Sequence, residues 1–485
     1  MLLKDLLADL PGVLEIRGES MTEIGALAID SRETLQNALF FCITGNRYDA
    51  HKFAGQAEKN GSVAFVVSKW VNSKLPQVRV VNVRSAMAYI AAAFFGHPER
   101  GMRFIGMCGT KGKTTTSFLM KSILEKAGYH TGLIGTTGNM IGDEKISSNL
   151  TTPDPIDLHR CLRQMRDAGV HAVSMEVSAH AIHMHRLDGL TFEAACYTNL
   201  SQDHLDYFGT MENYFTTKKS FFMSGAVHNA AVNVDDESSE KILNDIQIPY
   251  LTYGIGGVAD VFARDIEITE DGVSFAILLR GLESMTIHMQ MTGMFNVYNA
   301  LAAASLAMIL GIDAAAIKEG LETVRAVPGR IEMLDTHTSY KVILDYSHSP
   351  DALENILTTV RVFAKNRVIV LFGCGGDRDQ GKRPLMGETG GRLADFSILT
   401  SDNPRTEDPN AILSSIERGI QKTRGKYTII ENRRDAIRYA LQMGREGDVI
   451  VLAGKGHETY QDIMGVKRPF DEKVVVLEIL EELRR

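Results

Sequence analysis

Cysteine is scarce in this chain: Cys42, Cys108, Cys161, Cys196 and Cys374 are the five in 485 residues, widely separated and never spaced Cys-x-x-Cys. An odd, scattered set of this kind fits reduced core residues better than a disulfide framework or a cysteine zinc site. No apolar stretch approaches the roughly 20 residues that a spanning helix needs, so membrane insertion is excluded. The opening Met1-Leu2-Leu3-Lys4-Asp5-Leu6-Leu7 breaks its leucines with charge and offers no small-residue cleavage site. It therefore reads as an amphipathic helix rather than a secretory signal, and a cytoplasmic protein is expected. An excess of positive charge is also missing: the net charge is −8, which argues against a broad nucleic-acid surface and leaves small anionic ligands open.

What is present is enough chain for about three domains, with 44% hydrophobic and 23% charged residues, an ordinary balance for globular protein. Residues 1–98 mix short β-like runs (Val63–Val67, Val78–Val81) with helical pieces and end near His97-Pro98-Glu99-Arg100. Residues 99–329 alternate apolar strands with helices; Phe104–Cys108, Ala172–Val177, Ala194–Thr198 and Ala230–Val234 are the clearest strands. A doubly wound, largely parallel sheet is the simplest reading, with a small antiparallel side sheet over Val261–Met291 turning at Glu270-Asp271-Gly272. Residues 330–485 start a second series, Val342–Leu344, Val368–Phe372, Ser397–Thr400, Tyr427–Ile430 and Val449–Leu452. The expected fold class is thus α/β: a small N-terminal domain, a central domain and a Rossmann-like C-terminal domain.

Gly109-Thr110-Lys111-Gly112-Lys113-Thr114-Thr115-Thr116 follows the apolar run Phe104–Cys108 and precedes Phe118, Leu119, Ile123, Leu124 and Ala127 at helical spacing, with Gly128 closing the segment. This is the sequence form of a phosphate-binding loop, shortened because Met107 stands where the standard pattern has its first glycine. Glycines let backbone N–H groups wrap a phosphate, the helix start adds its positive end, Lys113 reaches the outer phosphates and Thr114 offers Mg²⁺ a hydroxyl. A nucleoside triphosphate is the expected ligand.

Ligands of open parallel sheets bind beyond the carboxyl ends of the strands. There the chain places Glu176, Ser178 and His180 after one strand and Asn199, Asp203, His204 and Asp206 after another. A carboxylate and a histidine beside a phosphate loop suit an Mg²⁺ site; each is as readily a capping or hydrogen-bonded core residue. In the last domain, the runs beginning at Asp345, Gly373, Ser401 and Gly454 put four polar loops on one sheet edge. Lys382, Arg383, Arg405 and Glu458 there offer cations and a carboxylate suited to an amino-acid zwitterion, although loops are also polar simply because they are solvated.

Gly109–Thr116, Met175–His180, Asp203–Tyr207, Gly293–Asn299, Pro328-Gly329-Arg330, Asp345–Asp351 and Gly373–Met386 together closely resemble the Mur ligases, in order and over nearly the whole chain. Asp30-Ser31-Arg32, Leu39-Phe40-Phe41, Asp402-Asn403-Pro404-Arg405 and Gly454–Glu458 resemble the branch of that family adding the third residue of the peptidoglycan stem peptide. The resemblance implies a monomer with a UDP-substrate domain (1–98), an ATP-binding domain (99–329) and an amino-acid-binding domain (330–485). It implies ATP-dependent amide formation, in which the glutamate carboxylate of UDP-N-acetylmuramoyl-L-alanyl-D-glutamate becomes an acyl phosphate that an amine then attacks. Lys113, Glu176, His204 and Lys218 would be catalytic. Gly109, Thr110, Lys111, Gly112, Lys113, Thr114, Thr115, Asn299, Arg330, Asp345 and His348 would hold the nucleotide. Thr114, Glu176, His204 and Lys218, the last as a CO₂-derived carbamate, would bind Mg²⁺. By composition alone Lys218, next to Lys219, reads as a solvated helix face; only the resemblance reverses that.

Ser31, Thr151, Thr152, Ser178 and Arg186 would line the UDP-muramoyl site, and Arg383, Asp402, Asn403, Pro404, Arg405, Gly454 and Glu458 the amino-acid site. The chain departs from the family pattern at Asn37-Ala38 (usually Pro-Gly), Ala50 (usually Gly), Lys111 (often Asn) and Met184 (Gln in some members). In the resemblance, Asp-Asn-Pro-Arg goes with meso-diaminopimelate, whose distal carboxylate needs a positioned cation such as Arg405, with Glu458 for the distal ammonium. The alternatives are a lysine-adding or other Mur ligase, a folylpolyglutamate-synthetase-like enzyme, and a non-catalytic nucleotide-binding module.

Overall fold

A computed structural model of the chain describes residues 1–45, 48–146, 148, 150–256, 258–279 and 284–484. Its contacts form two compact units, one of Met1–Gly106, Tyr129–Ala195 and Thr217–Asn229, the other of Met107–Gly128, Cys196–Thr216 and Ala230–Arg485.

The first unit opens with a five-stranded sheet in the order Val13–Arg17, Gln77–Val80, Ser62–Val67, Ala38–Phe41, Ala26–Ala28, parallel except for the first edge strand. Strand side chains alternate faces. Leu39, Phe41, Ala64 and Val66 thus share one core with Ala86, Met87 and Ile90 of the helix Val83–Phe94, while Phe40, Phe65 and Val67 share another with Ala54 and Ala57. Farther along, Ala172–Val177 pairs in parallel with Thr131–Ile134, which carries the antiparallel strands Asn139–Ile141 and Glu144–Ile146. The opening helix is only Leu3–Leu6.

His159, on the helix Pro155–Asp167, is 1% exposed, with Nδ1 3.6 Å from Glu99 Oε2. Burial pushes its pKa down to about 4, against the pull of Glu99 and with a push from His97. A histidine neutral when folded but near 6.5 when unfolded stabilises fully above pH 6.5 and progressively less toward pH 4. His159 should therefore cost about 2 kcal/mol of unfolding free energy between pH 7 and pH 5. Urea melts at both pH values check this: His159→Leu should flatten the slope, and an unchanged slope would refute the assignment.

In the second unit, Ala230–Asn233, Tyr250–Gly254 and the start of Val261–Ile268 run parallel, followed by antiparallel Val273–Leu279 and Met285–Met289. The expected turn at Glu270–Gly272 joins the first antiparallel pair, closing with Ile268 opposite Val273. The helix Lys113–Lys126 packs against the helix Ala314–Thr323 so closely that a methyl on Gly320 would lie 2.5 Å from Ile123 Cα. Its flank is the helix Met294–Ile309.

Glu332–Leu334, Lys341–Asp345, Val449–Ala453, Val368–Phe372, Phe396–Leu399 and Tyr427–Ile429 form a six-stranded sheet in that order. It is parallel apart from the first strand. Val368, Val370 and Phe372 pack into one core and Ile369 and Leu371 into the other, so both faces are covered, as a parallel sheet requires. Parallel direction brings the loops after Asp345, Phe372, Leu399 and Ala453 to one edge, as the sequence pattern predicts. Absent from that reading are the strands Val13–Arg17, Ala26–Ala28 and Ala38–Phe41 and the hairpin Tyr460–Ile463/Val466–Pro469. All five cysteines are free and buried.

Candidate active site

The phosphate loop runs from the strand Arg103–Cys108 into the helix Lys113–Lys126, and two of its glycines are sterically obligatory. Gly109 (φ +148°) and Gly112 (φ +87°) have backbone conformations that side chains disfavour. A Cβ would fall 1.8 Å from Thr198 Oγ1 at Gly109 and 2.4 Å from Asn299 Oδ1 at Gly112. The segment after the strand Ala194–Tyr197 braces the loop: Thr110 N donates to Asn199 O (2.8 Å), Lys111 N to Asn199 Oδ1 (2.9 Å) and Thr198 Oγ1 to Lys111 O (2.7 Å). Lys113 folds back over the loop and donates from Nζ to the carbonyls of Gly109 (3.0 Å) and Thr110 (2.9 Å). Thr114 and Thr115 are buried in the first helical turn.

Several residues distant in sequence reach the same loop. Arg330 donates from its guanidinium to Thr114 Oγ1 (3.1 Å) and lies 4.8 Å over the Tyr346 ring. Asn299 accepts from Thr116 Oγ1 at 3.4 Å. Asp345 sits behind Arg330, accepting from Ile331 N and Ser347 N at 2.9 Å each.

Asp203, which the sequence reading placed among the polar residues after a strand but gave no individual role, is a hub. Its Oδ2 lies 3.5 Å from Lys111 Nζ, 3.8 Å from His204 Nε2 and 3.9 Å from His348 Nε2. Burial alone would raise its pKa, but the surrounding cations, Lys111 foremost, hold it well below the usual carboxylate range. Crowding by protein atoms lowers the Lys111 pKa, with Asp203 opposing. Burial and then Lys382 push His348 down to about 3, so the ring is neutral at physiological pH and its Nδ1–H donates to Tyr346 O (2.8 Å). His204 has a left-handed backbone (φ 57°), rare outside glycine and a mark of local strain at functional sites. From the adjoining loop, Gln202 Nε2 donates to Asp379 Oδ2 (3.0 Å).

On the edge of the six-stranded sheet, Arg383 is held by Glu407 through two bonds of 2.9 and 2.8 Å. Arg405, half-buried with φ 51°, donates from its guanidinium to Gly376 O (2.6 Å). Among the described residues it has no ion-pair partner. Its backbone pairs with the loop of the terminal hairpin, Arg405 N donating to Asp462 O and Met464 N to Arg405 O. Glu458 Oε2 accepts from Asn403 Nδ2 (2.8 Å) and Lys455 Nζ (3.1 Å), and Lys455 Nζ also donates to Asn403 Oδ1 (3.1 Å). Lys455, fully buried, was given no role by the sequence reading; its position inside Gly454–Glu458 was the available signal. A Cβ on Gly454 would fall 2.5 Å from Asp402 Oδ2, and Pro404 O would lie 1.9 Å from one on Gly376, so these loops are in close backbone contact.

Within the first unit a different group converges. Glu176, fully buried, accepts at Oε1 from Thr136 N (2.8 Å) and at Oε2 from Thr136 Oγ1 (3.0 Å), which also meets Thr151 Oγ1 at 3.0 Å. Thr152 Oγ1 donates to Glu176 O (2.7 Å) and accepts from Ser178 N (3.2 Å). Arg186 donates to Thr152 O (2.7 Å) and pairs with Asp154 (2.8 Å). Ser31 stands apart, its carbonyl accepting from Asn60 Nδ2 at 2.8 Å.

Lys218, on the helix Met211–Met223, is only 1% exposed, which overturns its reading as a solvated face. Tyr214, Phe215, Phe221 and Phe222, three or four residues to either side, are buried with it. That apolar stripe was the sequence signal for its burial.

A phosphate loop feeding a helix, beside a parallel sheet with a polar edge, is the architecture of a P-loop nucleotide-dependent enzyme. Residues 23–95 match the Mur ligase family, catalytic domain, residues 107–307 the Mur ligase middle domain, and residues 329–456 the Mur ligase, glutamate ligase domain. The chain is 44% identical over 491 aligned positions to a UDP-N-acetylmuramoyl-L-alanyl-D-glutamate--2,6-diaminopimelate ligase of Geobacillus thermodenitrificans (strain NG80-2), covering 100% of both chains. It is 42% identical to the enzyme of that name from Clostridium botulinum (strain ATCC 19397 / Type A), covering 96% of this chain and 97% of that one. A solved structure bearing the same enzyme name superposes with a TM-score of 0.69 at 30% identity, covering 100% of this chain and 99% of the other. The chain belongs to the Mur ligase family. Among the described residues no helix is long and apolar enough to cross a membrane.

Proposed function

We propose that this chain is a MurE-type ligase of the cytoplasm that uses ATP to join meso-diaminopimelate to the D-glutamate carboxylate of UDP-N-acetylmuramoyl-L-alanyl-D-glutamate. The observation that carries the specificity is Arg405: a half-buried guanidinium without an ion-pair partner among the described residues, on the sheet edge that carries Asn403 and Glu458. Such a cation suits a carboxylate that lysine lacks. Residues 1–98 hold the UDP substrate through Ser31, with Thr151, Thr152, Ser178 and Arg186 contributing from 99–329, the ATP-binding domain. Residues 330–485 hold the amino acid through Arg383, Asp402, Asn403, Pro404, Arg405, Gly454 and Glu458. Because Glu407 already neutralises Arg383, Arg405 is the stronger anchor for an anion.

Thr114 and Glu176, buried hard-oxygen donors, fit Mg²⁺, which keeps few protein ligands and relies on substrate phosphates. They would hold it with His204 and a carbamate on Lys218. Bound there, Mg²⁺ would supply positive charge to the transferring phosphoryl group. Gly109–Thr115 cradles the triphosphate, with Asn299, Arg330, Asp345 and His348 completing the nucleotide site. Lys113 leaves its loop carbonyls for the outer phosphates as the glutamate carboxylate oxygen attacks the γ-phosphorus and ADP departs. The diaminopimelate amine then attacks the acyl carbon, phosphate leaves and the amine sheds a proton. Arg330, already bonded to Thr114, steadies the charge passing through this side of the site.

Phosphate release from ATP, Mg²⁺ and the UDP substrate, with meso-diaminopimelate, L-lysine or no amino acid, tests the proposal. Release with diaminopimelate alone is expected. Equal release with lysine would overturn the specificity, and none with any amine would overturn the ligase reading. Arg405→Ala should lower kcat/KM for diaminopimelate by about 1.5–3 kcal/mol, roughly 10- to 150-fold, and an unchanged value would remove Arg405 from the site.

A further inference from the structure

Beneath the amino-acid edge lies a buried ion pair that none of the proposed chemistry uses. Arg433 and Glu472 are each 1% exposed and are the first residues of the helices Arg433–Met443 and Glu472–Arg484. Arg433 Nε donates to Glu472 Oε1 at 2.7 Å. The other guanidinium nitrogens donate to two backbone carbonyls, Ser401 O at 3.3 Å and Ala453 O at 2.9 Å. Ser401 directly precedes Asp402-Asn403-Pro404-Arg405, and Ala453 ends its strand directly before Gly454. One planar fork thus grips the roots of both recognition loops, while Lys455 ties their outer parts through Asn403 and Glu458.

We infer that Arg433, oriented by Glu472, is a positioning residue for the amino-acid substrate, fixing the separation of the Asp402–Arg405 and Gly454–Glu458 loops. The inference rests on the function proposed above. Stability alone is a poor reason for the pair, because burying two charges usually costs as much as their attraction returns, and apolar residues of like volume do as well. Glu472 Oε2 meets no hydrogen-bond donor among the described residues, which adds to that cost. What a guanidinium supplies and an apolar side chain cannot is several donors in a fixed plane, here satisfying two strand-end carbonyls at once. Recognition of a substrate with charges at both ends depends on such fixed geometry, since small displacements of the supporting groups weaken every contact.

Arg433→Lys keeps the charge beside Glu472, but one ammonium cannot span both carbonyls in the guanidinium plane. KM for meso-diaminopimelate should rise by about tenfold or more, while KM for ATP and for the UDP substrate stays within about twofold. An unchanged diaminopimelate KM, or a joint rise of all three KM values, would overturn the positioning role. If Arg433→Lys shows no cooperative thermal transition, Glu472→Gln, which retains shape and an acceptor for Arg433, is judged by the same two criteria. Absence of diaminopimelate-dependent phosphate release by the wild-type chain would instead overturn the functional reading and this inference with it.

Discussion

Lys113→Ala is expected to lower kcat for ATP-dependent phosphate release by on the order of 10³-fold, with a smaller change in the KM for ATP. The ammonium is already held within the loop by the carbonyls of Gly109 and Thr110, at 3.0 and 2.9 Å. Once it leaves these carbonyls for the outer phosphates, the ammonium acts mainly on the charge that develops there during transfer. The loop's backbone N–H groups and the helix start remain in the variant, so ground-state phosphate binding should largely survive. Activity within about tenfold of wild type would show that Lys113 does not reach the transferring phosphoryl group. Lys113→Arg should rescue little, because the bulkier planar fork does not duplicate a compact ammonium folded against two carbonyls.

Lys218→Ala is expected to abolish turnover to the limit of detection while leaving the chain folded. Lys218, 1% exposed, lies on the same helix as the buried Tyr214, Phe215, Phe221 and Phe222, and a lysine adds CO₂ through the lone pair of its amine. The resulting carbamate is anionic and presents oxygens, the donor type that Mg²⁺ prefers. Labelled bicarbonate should therefore give an NMR carbamate signal in the wild type that the variant lacks, and bicarbonate depletion should slow the wild type reversibly. Full activity in bicarbonate-free buffer with no carbamate signal would refute the role. Because deleting a buried cationic stem alters packing as well, Lys218→Met is the appropriate control for fold, and it too should be inactive.

The phosphate loop was legible because its chemistry is contiguous. Glycine, lysine and threonine at fixed offsets after an apolar strand and before a helix encode both the local backbone and the ligand it wraps. The six-stranded sheet was equally readable: Val368–Phe372 and Val449–Ala453 are short unbroken apolar runs, the mark of strands buried on both faces. Edge strands such as Val13–Arg17 carry exposed charge and a weak alternation, and so escaped notice. Lys218 shows a partial failure. Its neighbours' apolar spacing pointed inward, but two adjacent lysines suggest solvent unless the packing partners of that face are known.

Composition and short-range order were therefore sufficient for the α/β class, the reduced cysteines, the triphosphate loop and the motif order shared with the Mur ligases, because each depends on residues within a few positions of one another. Long-range pairing settled the rest. Asp203 became a hub only when folding brought Lys111 and His348 to it, Arg383 was claimed by Glu407, and Arg433 met Glu472 across 39 residues of sequence. The strength and direction of these interactions depend on burial and on which charges share a low-dielectric neighbourhood. Those are properties of packing in three dimensions, and no spacing rule along the chain contains them.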